Sequence, residues 1–245
     1  MSEADSIYIS VIIPAYNEKA NIGPTVKEVL NYLSAKDYSY ELIVVDDGSR
    51  DGTKDVVNKL AQENKNLKLV SYLPNRGKGY AVKRGMLGAS GKWRLFMDAD
   101  NSTKICEVDN FLKALETGFD IAIGSRRIEG AKLTVPQPLH RRLLGWAYRL
   151  FCATLLGTKA SDYNCGFKLF YKDAAQRIFS KIRMERWSFD TEIIFFAKKL
   201  GYKIKEVPVS WEFTGTSAVR PIRDGIRSYM DLLRIRENER DGLYS

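Results

Sequence analysis

The sequence predicts an α/β fold with a mostly parallel central sheet flanked by helices. Two observations indicate this class: short apolar runs alternate with segments of helical periodicity, and each apolar run ends in polar, turn-forming residues. Ligands of open sheets of this kind bind outside the carboxyl ends of the strands. The polar residues that follow the apolar runs are therefore candidates for a functional site.

The first two apolar runs predict neighbouring parallel strands. Residues 8–14 and 41–49 have the apolar content of buried strands and end in polar residues. Between them, Asn21 is a candidate N-cap for a helix with apolar residues at three- and four-residue spacing, at Val26, Val29, Leu30 and Leu33. A strand, a helix and a second strand in this order indicate a crossover unit, which joins parallel strands.

The same alternation continues along the chain. It predicts helices at residues 51–63 and 78–89, and strands at residues 67–73, 93–98 and 119–124. Because the carboxyl ends of parallel strands meet at one edge of a sheet, the polar side chains that follow them are expected to converge. These residues are Tyr16, Asn17, Glu18, Asp46, Asp47, Asp98, Asp100, Ser125 and Arg126.

Two carboxylates separated by one residue, Asp98 and Asp100, follow the strand predicted at residues 93–98. Carboxylate oxygens are ligands that Mg²⁺ and Mn²⁺ prefer, and such sites commonly use one or two carboxylates while substrate phosphates complete the shell. The pair therefore predicts a divalent cation held against a diphosphate. An ordinary turn after a strand is the alternative that these two residues alone leave open.

Five motifs in a fixed order carry a family resemblance that covers nearly the whole chain. They are VIIPAYNE at residues 11–18, VDDGSRDGT at 45–53, NRGKG at 75–79, DAD at 98–100 and NCGFK at 164–168. In this order and spacing the chain resembles the family 2 inverting glycosyltransferases, and within them the polyprenyl-phosphate sugar synthases. This resemblance implies one GT-A-type domain over residues 1–245. Its parts would be a nucleotide-sugar half at about 7–130, an acceptor half at about 131–215 and a C-terminal helix at about 216–245.

Within that family, two regions are similar to the dolichyl-phosphate β-glucosyltransferase group. They are residues 98–103 and the C-terminal segments 209–212, 215–217 and 231–236. Mannosyl relatives often carry Gln where this chain has Ser102, and basic residues near Glu212 and Ala218. The resemblance therefore implies transfer of one sugar, glucose from UDP-glucose, to a polyprenyl (dolichyl) phosphate with inversion. The alternatives are a GDP-mannose-dependent dolichyl-phosphate mannose synthase and a family 2 enzyme that acts on a saccharide hydroxyl.

On the donor side, the resemblance implies a nucleotide-sugar pocket with Mg²⁺ or Mn²⁺ as cofactor. The pocket residues would be Pro14, Ala15, Tyr16, Glu18, Asp47, Lys78, Asp98, Ala99 and Asp100. Tyr16 would offer its ring to the base, Asp47 would accept hydrogen bonds from base or ribose, and Lys78 would lie near the base or phosphates. Asp98 and Asp100 would bind the metal, Asp100 most directly. Packing for Tyr16 and turn capping for Asp47 remain the alternatives.

On the acceptor side, the nucleophile is a phosphate monoester, whose second pKa of about 6 leaves it largely dianionic at neutral pH. The reaction therefore requires no catalytic base, but it does require positively charged groups that orient the acceptor phosphate. Arg126 and one or both of Arg141 and Arg142 match positions where the family binds acceptor phosphate, and guanidinium groups suit that role. Asp190 would orient a sugar hydroxyl or a basic residue, or act as base if the acceptor were a hydroxyl. The predicted catalytic residues are Asp98, Asp100, Arg126 and Asp190.

Composition narrows the function further. The chain has 39 Lys and Arg against 30 Asp and Glu, a net charge of +9, one histidine (His140) and three cysteines. A single histidine excludes multi-histidine metal sites, and Cys106, Cys152 and Cys165 lack both zinc spacing and an even count, as in a reducing compartment. A nucleic-acid-binding module would explain the basic charge, but Asp98 and Asp100 would repel its phosphates. We therefore expect no nucleic-acid partner.

The segment at residues 139–157 predicts contact with a membrane surface. Its apolar run has Arg149 in the middle and is shorter than the roughly 20 residues that cross a bilayer. Apolar residues at helical spacing beside Arg141 and Arg142 instead indicate an interfacial helix, with a core helix as the alternative. The helix predicted at 224–239 is expected to pack on the domain or on a partner. Since no signal peptide precedes the domain, we expect peripheral attachment on the cytoplasmic side, with a membrane-protein partner or a homo-oligomer possible.

Overall fold

The computed structural model describes residues 7–135, 139–212 and 221–244, with the side chains of 139–142 and 221–226 left out of the description. The motif at residues 215–217 therefore lies outside the described residues. The strands are β1 (Ile9–Ala15), β2 (Tyr40–Asp46), β3 (Leu67–Ser71), β4 (Trp93–Met97), β5 (Ile121–Ser125), β6 (Lys132–Leu133), β7 (Phe167–Tyr171), β8 (Ile204–Pro208) and β9 (Ser210–Trp211).

Helices connect and cover these strands. They are α1 (Lys19–Ser34), α2 (Thr53–Glu63), α3 (Lys78–Gly88), α4 (Val108–Glu116), α5 (Leu139–Leu156), α6 (Lys172–Lys181), α7 (Phe189–Lys199) and α8 (Pro221–Arg240). A short 3₁₀ helix at Ile105–Glu107 precedes α4. Every helix and strand predicted from the first half of the sequence is present, with bounds that differ by one to a few residues.

The central sheet has seven strands in the order β3-β2-β1-β4-β7-β5-β8. Six of these strands run in the same direction, while β7 is antiparallel to both neighbours, β4 and β5. The prediction of a mostly parallel sheet flanked by helices is therefore confirmed. Because β7 runs the opposite way, its first residues meet the last residues of β4, and Phe167 pairs with Met97.

The core lies on both faces of this sheet. In β1, Val11 and Ile13 point into one apolar cluster, and Ile12 points into the other, as the two-residue period of a strand requires. All three side chains are fully buried. Burial on both faces explains why the strands appear in the sequence as continuous apolar runs.

Two helix starts differ from the sequence prediction. Helix α1 begins at Lys19, and Asn21 lies inside its first turn, where its amide donates a hydrogen bond of 2.7 Å to Glu18. Helix α2 begins at Thr53 and not at Asp51, because the Asp51 carboxylate accepts the Thr53 backbone N–H at 2.9 Å. The prediction that Asn21 caps α1 is therefore wrong, because Glu18 occupies the N-cap position and Asn21 bonds to its side chain. Gly52 occupies the N-cap position of α2, so the predicted start at Asp51 is two residues too early.

The amphipathic segment predicted at residues 139–157 corresponds to α5, and it packs against α8. The rings of Phe151 on α5 and Tyr229 on α8 have centroids 5.1 Å apart. On its inner side α8 buries Leu232 and Ile235 completely, which confirms the prediction that this helix packs on the domain. In the portion of the chain that the structure describes, we find no helix with the length and apolar character to cross a membrane.

Candidate active site

Carboxylates from two strand ends meet at the carboxyl edge of the sheet. Asp98 and Asp100 follow β4, and Glu18 follows β1, which pairs directly with β4. Burial raises the pKa of Glu18 above its ordinary value, and the negative charges of Asp100 and Asp98 raise it further. A carboxyl group that experiences the charge of two neighbouring carboxylates in this way marks a site that attracts a cation.

The donor atoms present suit a cation that shares its ligands with a phosphate group. Among the described residues, no group of three or more His, Cys, Asp or Glu is arranged to hold a metal by itself. Two carboxylates completed by substrate phosphates are the usual arrangement for Mg²⁺. The Asp100 carboxylate also accepts the Ser102 backbone N–H at 3.0 Å, which orients it at the end of β4. These residues are thus compatible with the predicted metal site at Asp98 and Asp100.

Gly166 allows Asp98 to occupy this position. Since β7 begins beside the end of β4, residue 166 lies directly against the Asp98 side chain, and a Cβ atom on Gly166 would overlap its carboxylate. The NCGFK motif therefore places a glycine where a larger residue would displace a predicted metal ligand. Nothing in the sequence alone indicates which carboxylate requires this glycine.

Replacing Gly166 by Ala is expected to reduce turnover by about 10²-fold or more, because the new methyl group displaces Asp98 from its position in the site. Initial rates of sugar transfer would measure this effect. The matched control is Gly88→Ala, since a Cβ atom there meets nothing within 4 Å. Wild-type activity of the Gly166 variant would contradict the placement of Asp98.

Lys78 is the first residue of α3, and its ammonium forms an ion pair with Asp98. Burial disfavours the ammonium, but Asp98 and Asp190 outweigh this effect and raise the pKa of Lys78 above its ordinary value. Lys78 therefore remains charged beside the carboxylates at neutral pH. Its predicted place near the base or phosphates of the donor stays a prediction.

The loop before Lys78 is held by Asp47. Its carboxylate accepts the backbone N–H groups of Arg76 at 2.8 Å and Gly77 at 2.7 Å, and the Asn75 amide at 2.7 Å. Gly77 has a φ of 116°, a conformation that favours glycine. The turn-capping alternative for Asp47 thus describes its contacts in the structure, and its contact with base or ribose stays a prediction. Asp46 likewise accepts hydrogen bonds from Ser49 and Ser71.

The end of β1 provides the remaining predicted pocket residues. Pro14 and Ala15 are buried, whereas Tyr16 is 46 % exposed, so its ring is available to a planar ligand. The following loop is fixed by hydrogen bonds from the backbone N–H of Asn17 to the Ser49 hydroxyl and from Glu18 to the Thr53 hydroxyl, both at 2.9 Å. Ala99 is buried, and its carbonyl accepts the Thr25 hydroxyl at 2.8 Å.

On the other side of the site, Arg126 follows β5 and is held by Asp162. The guanidinium Nε and Nη2 atoms donate to the Asp162 carboxylate at 2.6 and 2.9 Å, and the guanidinium carbon lies 5.5 Å from the Trp211 ring centroid. Burial opposes ionisation of Asp162, but Arg126 outweighs it and holds the pKa of Asp162 below its ordinary value. Sequence reasoning identified Arg126 and missed Asp162, since the two are distant in the chain.

Asp190 lies in the first turn of α7 and is buried. Its carboxylate forms an ion pair with Lys168, whose ammonium also donates to the carbonyl oxygens of Tyr163 at 3.0 Å and Cys165 at 2.7 Å. Burial raises the pKa of Asp190, while Lys168 and Lys78 oppose this increase. The structure thus places Asp190 against a basic residue, one of the three roles considered from the sequence. Lys168 was part of a recognised motif but had no predicted role.

Arg141 and Arg142 lie in the first turn of α5, but their side chains are outside the described part of the structure. Their role in binding the acceptor phosphate therefore stays a prediction. Further along, the same helix approaches Arg127 and Thr191, the residues that follow Arg126 and Asp190 in the chain. A Cβ atom on Gly145 would lie 2.7 Å from Nη2 of Arg127, and the hydroxyl groups of Tyr148 and Thr191 are 2.6 Å apart.

Comparison with solved structures defines the class of the fold. The chain is similar to mannosyl-3-phosphoglycerate synthase from Rubrobacter xylanophilus, with a TM-score of 0.70, 20 % identity, and coverage of 96 % of this chain and 75 % of that one. It is also similar to glucosyl-3-phosphoglycerate synthase from Mycobacterium tuberculosis in complex with Mn²⁺, UDP-glucose and phosphoglyceric acid. That TM-score is 0.69, with 23 % identity and coverage of 96 % and 80 %. The fold is that of the GT-A glycosyltransferases.

The sequence comparisons are more specific. The model for "Glycosyl transferase family 2" matches residues 10–179, and the chain belongs to this family. It is 37 % identical over 244 residues to dolichyl-phosphate beta-glucosyltransferase from Dictyostelium discoideum, covering 95 % of this chain and 75 % of the relative. The enzyme of that name from Homo sapiens is 33 % identical over 241 residues, covering 93 % and 74 %. The resemblance recognised from the motifs is confirmed.

Proposed function

We propose that this chain transfers glucose from UDP-glucose to dolichyl phosphate, with inversion at the anomeric carbon. The observation that carries this proposal is its similarity to relatives named dolichyl-phosphate beta-glucosyltransferase, from Dictyostelium discoideum to Saccharomyces cerevisiae, over at least 93 % of its length. The charge distribution of the site supports the same reaction. Carboxylates and Lys78 lie at the carboxyl end of β4, and Arg126 lies at the end of β5.

On the donor side, Tyr16 would stack on the base while Asp98 and Asp100 would hold Mg²⁺ or Mn²⁺ with the diphosphate. The M. tuberculosis enzyme, which has the same kind of fold, was crystallised with Mn²⁺ and UDP-glucose. A divalent ion held by Asp98 and Asp100 would stabilise negative charge on the departing diphosphate. Lys78 would exchange its ion pair with Asp98 for a contact with that diphosphate, since its ammonium remains charged.

On the acceptor side, the phosphate dianion needs orientation and no base. Its oxygen would form a bond to the anomeric carbon from the face opposite UDP, while the bond from that carbon to the β-phosphate oxygen breaks and UDP leaves. Arg126 would bind the phosphate, held in orientation by Asp162 and Trp211. Arg141 and Arg142 would contribute further positive charge. Asp190, paired with Lys168, would maintain the loop before β7.

An in vitro assay of sugar transfer would test the whole proposal. Purified protein would be incubated with dolichyl phosphate, Mg²⁺ or Mn²⁺, and labelled UDP-glucose or GDP-mannose in parallel. We expect organic-extractable label from UDP-glucose alone. Label from GDP-mannose would overturn the choice of donor, and label on a water-soluble saccharide would overturn the choice of acceptor.

A lipid acceptor requires contact with a bilayer, and we place that contact on an apolar face formed by α5 and α8. We call this the docking face. Its exposed side chains are Leu143, Leu144, Trp146, Leu150, Phe151, Tyr229, Met230 and Leu233. Large apolar side chains exposed together commonly mark an interaction surface. The chain that leads into and forms most of α5 is rich in basic residues, because residues 126–150 contain six Lys or Arg (Arg126, Arg127, Lys132, Arg141, Arg142 and Arg149) and one acid, Glu129.

This composition suits the surface of an anionic membrane, where each nearby basic residue contributes about 1 kcal/mol. Helix α5 also connects the docking face with the acceptor side of the site, since Tyr148 on this helix bonds to Thr191 beside Asp190. Peripheral attachment on the cytoplasmic side is therefore part of the proposal. A membrane-protein partner or a homo-oligomer stays a prediction.

The double variant Leu143→Ser/Trp146→Ser is expected to bind vesicles that contain anionic lipid at least about tenfold more weakly, because each apolar side chain contributes over about 1 kcal/mol on burial. Both side chains are more than half exposed, so folding should be preserved. Co-sedimentation with vesicles measures the effect. The control is Leu73→Ser, which removes an apolar side chain that is 78 % exposed outside the docking face. Equal loss of binding in the control would contradict the assignment.

A further inference from the structure

Residues 183–188 connect α6 with α7 and lie between the donor loop (residues 76–80) and helix α8. We call them the bridge segment. We propose that Asp231 on α8 and Tyr244 in the turn after it are positioning residues, which hold the bridge segment against the donor loop and thereby place Lys78 in the donor pocket. This inference rests on the proposed function, because it assumes that the donor loop binds a nucleoside diphosphate sugar.

The bridge segment contacts the donor loop backbone to backbone. The Tyr80 N–H donates to the Glu185 carbonyl at 3.1 Å. A Cβ atom on Gly77 would lie 2.6 Å from that carbonyl oxygen, and one on Gly79 would lie 2.5 Å from the Met184 carbonyl oxygen. No side chain fits between the two segments at these glycines. A displacement of the bridge segment would therefore pass directly to the donor loop.

Side chains add two further contacts between these segments. Arg76 forms an ion pair with Glu185, and the Lys78 ammonium lies 5.8 Å from the centroid of the Trp187 ring. Lys78 is thus placed between Asp98 in the site and Trp187 in the bridge segment. The bridge segment belongs to the surroundings of the donor pocket, although none of its residues was predicted to contact the donor.

On its far side, the bridge segment is held at both ends. At one end the Ser188 hydroxyl donates to the Asp231 carboxylate at 2.8 Å, and both groups are buried. At the other end, the backbone N–H groups of Arg183 and Met184 donate to the Glu192 carboxylate at 2.9 and 2.8 Å. The Tyr244 hydroxyl also donates to Glu192.

Tyr244 acts on the bridge segment through Glu192, which accepts hydrogen bonds from both. The Glu192 side chain is fully buried, and burial raises its pKa, an effect that the Tyr244 hydroxyl and the two backbone donors oppose. A buried carboxylate that loses one donor must redistribute its remaining hydrogen bonds, and here those come from the bridge segment. The Tyr244 ring cannot shift readily to compensate, since it packs on Phe196 and Phe195 with centroid distances of 5.3 and 6.1 Å.

Tyr244→Phe is expected to raise the KM for UDP-glucose and the Kd for UDP about fivefold to twentyfold. This is less than the full effect of one hydrogen bond to a charged group, because the loss reaches the donor loop only through the bridge segment. The kcat and the KM for dolichyl phosphate should stay within about twofold, because Arg126 and Asp162 lie outside this network. Amide hydrogen exchange at Tyr80 should become faster. A merely structural role would lower the active fraction without changing the KM for one substrate alone.

Asp231 provides an independent variant pair. Asp231→Ala should reproduce the change in donor KM, and Asp231→Asn should restore most of it, because an amide oxygen can still accept the Ser188 hydroxyl. The matched control is Tyr38→Phe, which deletes a buried tyrosine hydroxyl that has no hydrogen-bond partner among the described residues. Thermal unfolding would be followed for all variants.

The outcomes are distinguishable. Selective weakening of donor binding in Tyr244→Phe and Asp231→Ala, and not in Tyr38→Phe, supports the inference. Unchanged donor KM, or equal changes for both substrates, overturns it while the wild-type chain still binds UDP and transfers glucose. Failure of the wild-type chain to bind UDP would overturn the proposed function and this inference with it.

Discussion

Replacing Asp100 by Ala or by Asn is expected to reduce turnover by at least about 10²- to 10³-fold while the fold is retained. Asp100 is the predicted metal ligand that acts most directly on the departing diphosphate, and removing one preorganised charge-stabilising group typically has an effect of this size. The Asn variant should fold, because the Asp100 carboxylate accepts a hydrogen bond from the backbone N–H of Ser102 that an Asn oxygen can also accept. Initial rates at several Mg²⁺ and Mn²⁺ concentrations would measure the loss.

A matched control for this prediction is Asp55→Asn, which removes an exposed carboxylate from the first turn of α2, away from the site. Chelation of divalent ions should inactivate the wild-type chain, and added Mn²⁺ should restore it. UDP binding measured by calorimetry should depend on the metal in the wild type and lose that dependence in Asp100→Asn. An Asp100 variant with normal metal-dependent turnover would contradict the metal assignment.

Replacing Arg126 by Ala is expected to have the second large effect, on both stability and acceptor use. The variant leaves the buried Asp162 carboxylate without its cation, and breaking a buried pair in this way costs about 3–5 kcal/mol. It also removes the guanidinium that we place on the acceptor phosphate, so the KM for dolichyl phosphate should rise more than the KM for UDP-glucose. Urea unfolding and steady-state kinetics measure the two effects.

A second variant separates stability from acceptor binding. Arg126→Met/Asp162→Asn removes both charges, so most of the stability should return while use of the phosphate acceptor stays low. Stability should also depend on pH in a definite direction. Because the pKa of Asp162 is lowered in the folded state, the contribution of the pair is present at neutral pH and is lost as the pH falls below about 4. Equal KM increases for both substrates would contradict the role of Arg126.

Much of the fold could be predicted from the sequence because it depends on local features of the chain. The runs at β1 and β2 are apolar on both faces, which is characteristic of parallel strands covered by helices. Helix boundaries were predicted less accurately than the strands, as at Lys19, because a polar side chain near a helix start can form hydrogen bonds to more than one neighbouring residue. The antiparallel strand β7 was recognised only as the motif NCGFK, since strand direction depends on pairing partners and not on the strand's own residues.

The candidate site likewise contains residues that the sequence predicts and partners that only the structure reveals. Asp98, Asp100, Tyr16 and Lys78 follow or begin predicted elements at the carboxyl edge of the sheet, so topology alone brings them together. The partners that hold them were not evident. Asp162 is 36 residues from Arg126 in the chain, and Asp190 is 22 residues from Lys168, so no local pattern indicates that they pair.

The sequence by itself determined the family, the order of strands β1 to β5 with helices α1 to α3 among them, and most of the polar residues of the candidate site. These are properties of residue type, spacing and periodicity, which are local. Only the tertiary structure decided which charges neutralise one another, why Gly166 must lack a side chain beside Asp98, and how Asp231 and Tyr244 reach the donor loop through the bridge segment. The physical reason is that hydrogen bonds and ion pairs are specified by distance in space, which the fold sets between residues that are far apart in the chain.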